Sequence, residues 1–420
     1  MEMMRKLMRR DLPHLRRENA LKIAIVLLLL LFFVLYWLRI DFRRGQKHHT
    51  QNNHNRVYPK RRGDLKLYTD GNDLFAELFK DIDQATKHVH VLFYIIRNDQ
   101  FSQHFLDLLM RKARSGVEVR ILIDWMGSRN ISKRIIKELK KNGVHFSYSF
   151  TPKLPYLFYT SQKRNHRKIT VIDGEIGYLG GLNIGKEYIN QDPRLCPWRD
   201  YHLKMTGESI QDLQYEFLTD WYTATKEDYR NSDSYFPKQQ PGSMQHMIVP
   251  TEGFGLEEIF TQFFHKAKNE IIIGTPYFIP SEALLEELRK LLKKGIKLTI
   301  IVPFVSDHPF VKEAAYRYFR ILIKEGAHVL QFQNGFYHSK VLFIDNNLCD
   351  IGTANFDKRS LFLNHEVNCL IYDPSFLAEV AKKIQDDISK STTLSECMLS
   401  RPTLIQSIKE RIAYTISPFL

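Results

Sequence analysis

From Ile23 to Leu38 every residue is apolar (IAIVLLLLLFFVLYWL), and Lys22 and Arg39 bracket the run. It has no polar face, which argues against a buried core helix. At 1.5 Å per residue its 16 residues reach about 24 Å, short of the ~30 Å hydrocarbon core. Lys22 and Arg39 can snorkel to cover the difference, and Tyr36 and Trp37 fall where aromatic belts sit. A cleaved signal peptide competes, and the basic start (Arg5, Lys6, Arg9, Arg10, Arg16, Arg17) suits one. Arg-Ile-Asp-Phe-Arg-Arg follows Leu38, however, without a small-x-small cleavage site. The pattern therefore predicts a basic segment over 1–22 and a retained transmembrane helix over 23–38. Basic residues from Arg39 to Arg62 outnumber the one acid there, Asp41, which favours a cytoplasmic catalytic portion by the positive-inside rule.

Residues 39–63 are polar, basic and rich in His and Asn, and read as a flexible linker able to lie on acidic headgroups. His48, His49 and His54 could bind metal, but no cysteine or partner carboxylate is near, and a solvated linker explains them better. Beyond Leu65 helix and strand patterns alternate. A helix is expected at Asn72–Thr86, a strand at His90–Ile95, a helix at Phe101–Ser115 and, after Gly116, a strand at Val117–Asp124. The order recurs as helix Gly255–Ala267, strand Glu270–Tyr277, helix Glu282–Lys294, Gly295 and strand Ile296–Pro303. This alternation implies an α/β fold, and its recurrence implies a long-period duplication. The polar stretch 225–245, with Pro237 and Pro241, marks the boundary, giving halves at 64–235 and 236–420.

Hydrophobic residues make up 44% of the 420, enough for well-filled cores and unlike a disordered chain. The formal charge of +14 favours anionic partners, nucleic acid or acidic lipid, without distinguishing them. The four cysteines have neither C-x-x-C nor zinc-like spacing and read as incidental thiols.

Aligned on His166 and His338, the halves read HRKITVIDGEIGYLGGLN and HSKVLFIDNNLCDIGTAN. Both carry Lys at +2 (Lys168, Lys340), Ile at +6, Asp at +7 (Asp173, Asp345), Gly at +14 and Asn at +17 (Asn183, Asn355). In a strand i and i+2 share a face, so each His projects with its Lys. The opposite face, Ile169 and Val171 or Val341 and Phe343, would enter the core. A lone His on a strand is more often a satisfied polar group than a catalyst, but the gapless duplication reverses those odds. Asp173 and Asp345 lie an odd number of residues from their His and beside turns, where stabilising the strand end is the expected role.

These motifs resemble those of the phospholipase D superfamily, in which each such Asp is counted with the catalytic His and Lys. The wider chain resembles bacterial cardiolipin synthases at DWMGS (124–128), WRDYH (198–202), TPYFIP (275–280), GTANFDKRS (352–360), NHEVN (364–368) and SPFL (417–420). It departs in having one apparent membrane segment where many of those synthases have two, which bears on topology and not on chemistry. The resemblance implies two lobes, each a mixed sheet flanked by helices, related by a pseudo-twofold that brings the motifs together. It implies a phosphatidyltransferase in which His166 attacks phosphorus and His338 serves as acid and then base. Lys168, Lys340, Asn183 and Asn355 would hold the phosphate oxygens, with no metal or other cofactor. Each His would be oriented by an acid, Asp200 in the first copy and Glu366 in the second. Phosphatidylglycerol would be donor and acceptor, the cell membrane the setting, and nucleic acid no partner. A hydrolase with the same site, acting on lipid or, ranked after it, on nucleic acid, is the main rival. A non-catalytic scaffold would be expected to have lost some of the two His, two Lys and two Asn.

Overall fold

The computed structural model describes residues 2–399 and 403–419, with side chains from residue 19 onward; those of the basic segment before it, and Leu420, lie outside the described residues. It forms two compact units, residues 1–53 with 152–162, and residues 54–151 with 163–420.

In the first unit one helix runs unbroken from Glu2 to Asn52. From Asn19 onward it is long and apolar enough to cross a membrane, and its apolar side chains are exposed. The expected flexible linker is instead helical as far as Asn52. Its residues have a partner, the short helix Leu157–Gln162. Asp41 accepts the Tyr159 backbone N–H at 2.9 Å, and Phe42 meets Phe158 and Tyr159 with ring centroids 6.2 and 5.6 Å apart. His49, expected in solvent, is buried against Tyr159.

The second unit is built on one 16-stranded sheet flanked by helices. From one edge the main strands are His145–Ser149, Glu118–Asp124, His88–Phe93, Ile169–Ile172, Ile176–Gly180, His202–Gly207 and Arg61–Tyr68. There the second half joins, and its strands follow in mirrored order: Met244–Glu252, Asn364–Ile371, Leu348–Gly352, Val341–Ile344, Glu270–Gly274, Lys297–Pro303 and His328–Phe332. The join is antiparallel, Arg61 opposite His246 and Gly63 opposite Met244. Apart from Ser391–Thr393, which adds one antiparallel strand outside His328–Phe332, the order reads the same from either edge, as a duplicated unit related by a twofold requires.

Local chemistry explains the repeat. Asp99 and Ser281 cap their helices through the backbone N–H of Ser102 (2.8 Å) and Leu284 (3.1 Å). Gly116 and Gly295 end those helices at φ of +93° and +82°, conformations a side chain would strain. The chain then returns as Glu118–Asp124 or Lys297–Pro303, parallel to the preceding strand. The apolar faces of both motif strands enter one shared core: Ile169 and Val171 lie with Val341, Phe343 and Ile351.

The segment after Asn53 is also anchored. Asn55 bonds the Phe254 carbonyl and the Glu252 N–H (both 2.9 Å), and Tyr58 donates to Glu216 at 2.6 Å. Arg56 holds Glu216 and Glu252. Composition read this stretch as solvated because its partners lie about 160 residues or more away in sequence.

Candidate active site

Each His-x-Lys lies just before its strand: the regular pairing begins at Ile169 and at Val341. The two residues before each His form a short parallel bridge to the other half. Arg164 and Asn165 pair with Asn364 and His365, while Phe336 and Tyr337 pair with Trp198 and Arg199. The His166 N–H then donates to the His365 carbonyl (3.0 Å), and the His338 N–H to that of Arg199 (2.7 Å).

These bridges correct the expected pairing of acids. Glu366 accepts from His166 Nδ1 at 2.9 Å, and Asp200 from His338 Nδ1 at 2.6 Å. Each histidine is held by the carboxylate of the opposite half, because the segment bridged to it is the one that carries that acid. Glu366 is fixed further by the hydroxyls of Thr353 (2.6 Å) and Ser360 (2.8 Å), and Asp200 by the Tyr201 N–H (2.8 Å). With Nδ1–H committed to a carboxylate, each imidazole presents Nε2 as its remaining nitrogen.

Both imidazoles are only 7% exposed, yet both line one cavity of about 890 Å³ in the second unit. Asn183, Asn355, Tyr94 and Tyr277 line it too. Burial pushes His166 and His338 down to about 4 despite their carboxylates, so both are neutral at pH 7. Burial would raise Glu366 and Asp200, but the motif histidine that hydrogen-bonds each of them and the lysine beside it hold both below the usual carboxylate range. Lys168 and Lys340 are buried behind the cavity wall, each Nζ donating to the carbonyl of its own motif histidine. Burial lowers both, Lys168 to about 7. The amide of Asn183 bonds Ile95 N–H (3.1 Å) and Tyr188 OH (3.2 Å), and that of Asn355 bonds Asp357 (3.0 Å).

Asp173 and Asp345, which the superfamily motif groups with the catalytic residues, stand at the far end of their strands. Asp173 accepts the N–H groups of Thr86, Lys87 and His88 at 2.8–2.9 Å. Asp345 accepts those of Lys268, Asn269 and Glu270 at 2.5–2.9 Å. Seven extended residues span about 23 Å, too far to reach the histidines. Each carboxylate ties its hairpin to the start of the neighbouring strand.

Other residues at the site are not evident from the motifs. Tyr94 and Tyr277 meet His166 and His338 edge-on, with centroids 5.0 and 6.3 Å apart. They follow equivalent strands of the repeat, a signal available in the sequence. Arg167 is fully buried, with Asp220 at 3.0 Å, Glu216 and Glu252 at 3.1 Å, and the Glu366 carbonyl at 3.1 Å. The equivalent residue of the second half is Ser339, so the repeat does not reveal this network.

The family model for the phospholipase D-like domain of cardiolipin synthase matches twice, over residues 78–221 and 260–388. The minor cardiolipin synthase ClsB of Bacillus subtilis (strain 168) is 42% identical over 398 residues, covering 95% of this chain and 99% of that protein. A cardiolipin synthase of Staphylococcus aureus (strain Mu50) is 38% identical, covering 85% of this chain and 74% of its own length. Phosphatidylserine synthase from Haemophilus influenzae Rd KW20 shares the fold, with a TM-score of 0.68 at 18% identity over 90% of this chain and all of that one. Two matched domains and these relatives place the chain in the cardiolipin synthase family, the phosphatidyltransferases of phospholipase D type.

Proposed function

We propose that the protein joins two phosphatidylglycerol molecules into cardiolipin, releasing glycerol, through a phosphohistidine intermediate. The observation that carries this reading is the pair of imidazoles on one cavity, each held through Nδ1 by a carboxylate. His166 Nε2 forms a bond to phosphorus as the bond to the glycerol oxygen breaks, and His338 gives that oxygen its proton. A second phosphatidylglycerol then loses its hydroxyl proton to His338. Its oxygen bonds phosphorus as the N–P bond breaks, and His166 is regenerated. This order follows the superfamily resemblance; burial and Lys340 oppose a proton on both imidazoles, and at His338 the carboxylates of Asp200 and Asp307 offset that opposition only in part.

Asn183 and Asn355 present amides to the non-bridging oxygens, while Lys168 and Lys340 supply positive charge from behind the wall. The phosphodiester's own charge favours the protonated lysines and His338 once it arrives. The apolar helix anchors the enzyme in the cell membrane with its substrates, and the basic residues after it favour a cytoplasmic site.

The test supplies purified protein with labelled phosphatidylglycerol in mixed micelles, without added metal. Cardiolipin and free glycerol should form, and His166→Ala and His338→Ala should each lower turnover by about 10³-fold or more. Phosphatidic acid as the main product would make the protein a hydrolase instead.

A further inference from the structure

The helix Leu404–Ile416 has one fixed face and one face that is exposed among the described residues. Thr403 caps it through the Gln406 N–H at 3.2 Å. On the inner face Ala413 is buried, Glu410 takes both guanidinium nitrogens of Arg320 (2.7 and 2.8 Å), and Arg317 lies 3.9 Å from the Tyr414 ring. Both arginines belong to helix Val311–Lys324.

At about 100° per residue, Leu404, Ile405, Ile408 and Ile412 fall within one arc of about 100° on the other side. They are 78, 69, 52 and 45% exposed. Lys409 and Arg411, both exposed, flank that arc on opposite edges. The inner face is held by named contacts, so the aliphatic stripe belongs to a built surface.

The helix is also tied to the catalytic cavity. It runs into the turn Ser417–Phe419, where Phe419 lines the cavity and its carbonyl accepts from Arg359 at 3.2 Å. Lys358 donates to Ser417 Oγ at 3.2 Å. Val311, where the neighbouring helix begins, lines the same cavity.

We infer that Leu404–Ile416 lies flat on an anionic bilayer, its aliphatic arc at the acyl boundary and Lys409 and Arg411 among the phosphates. This seats the cavity wall at the surface that delivers lipid to it. The inference rests on the lipid-substrate reading above. Charge selects the occupant: an anionic surface complements the cationic edges, whereas a second copy meeting the same stripe would set like charges against each other.

The test uses the full-length chain with Cys196 and Cys397 changed to Ser, reconstituted into vesicles of phosphatidylglycerol and phosphatidylethanolamine. Spin labels go in at Leu404→Cys, Ser407→Cys, Ile408→Cys and Ile412→Cys. Labels at 404, 408 and 412 should be more accessible to oxygen than to an aqueous nickel chelate, and the label at 407 the reverse. Equal accessibility to the chelate at all four positions, or spin–spin broadening from two copies meeting at 408, overturns the inference.

A second arm measures turnover of Ile408→Glu/Ile412→Glu on vesicles and on monomeric short-chain phosphatidylglycerol. The vesicle-to-monomer ratio should fall about tenfold relative to the parent, and an unchanged ratio counts against the inference. If the parent protein turns over neither substrate, the proposed reaction fails, while the label pattern still decides where the helix lies.

Discussion

At His166 and His338 burial and an ion pair pull in opposite directions, and burial wins. Both imidazoles are held near 4 against an ordinary value of about 6.5. The unfolded chain therefore binds more protons than the folded one between those values, and stability falls as pH drops through that window. The loss is on the order of 3 kcal/mol per imidazole by pH 4. His202 and His365, pushed down to about 3 by burial, act with the same sign. Urea unfolding at pH 7, 5.5 and 4.5 should show this fall, and His166→Gln/His338→Gln should make it shallower without abolishing it. Glu366→Gln should cost about 10- to 100-fold in turnover and should alter the pH dependence through His166. Asp200→Asn should do the same through His338. The acids themselves were legible in the WRDYH and NHEVN stretches. Which histidine each serves was not, because that depends on two-residue bridges between segments about 140 and 200 residues apart.

Among the elements, Asp173 and Asp345 are the clearest case of motif residues that the fold ties to backbone N–H groups rather than to the histidines. Removing either leaves three backbone N–H groups without their carboxylate. Asp173→Ala or Asp345→Ala should cost about 2–3 kcal/mol in unfolding free energy while the folded fraction keeps its turnover. Their odd spacing from the histidines and their place beside turns already pointed this way. Arg167→Met should cost more, about 3–5 kcal/mol, because it leaves Asp220, Glu216 and Glu252 crowded together in the interior. Nothing in the pattern singled Arg167 out, since a buried cation and an exposed one look alike in a sequence. The expected helices and strands of the repeat lie within about three residues of the observed ones, because apolar periodicity and the glycines after the helices mark them. The stretch 39–58 was misread for the opposite reason. Its polar side chains are satisfied by distant carboxylates and carbonyls, which local composition does not register.

For the whole molecule, membrane orientation is the open expectation, and the cysteines offer a way to measure it. Cys196 and Cys397 are exposed, whereas Cys349 and Cys369 are buried in the sheet, where burial raises their thiols far above the usual range. With the catalytic portion in the cytoplasm, a membrane-impermeant maleimide should leave intact cells unlabelled and modify Cys196 and Cys397 once the membrane is opened. Labelling of intact cells would reverse the orientation. The mirrored strand order was foreshadowed by the duplicated motif, though the single unbroken sheet was not.

The exchange of acids between the halves has a genetic consequence. Neither half holds a complete histidine–carboxylate pair, so half a chain is not half an enzyme. Two polypeptides divided in the 236–243 stretch would each be inert and would recover turnover only on association. A half-length ancestor with this arrangement would have worked as a pair of identical chains, each completing its twin. After fusion the two copies could diverge, as Arg167 and Ser339 have, but neither could be discarded.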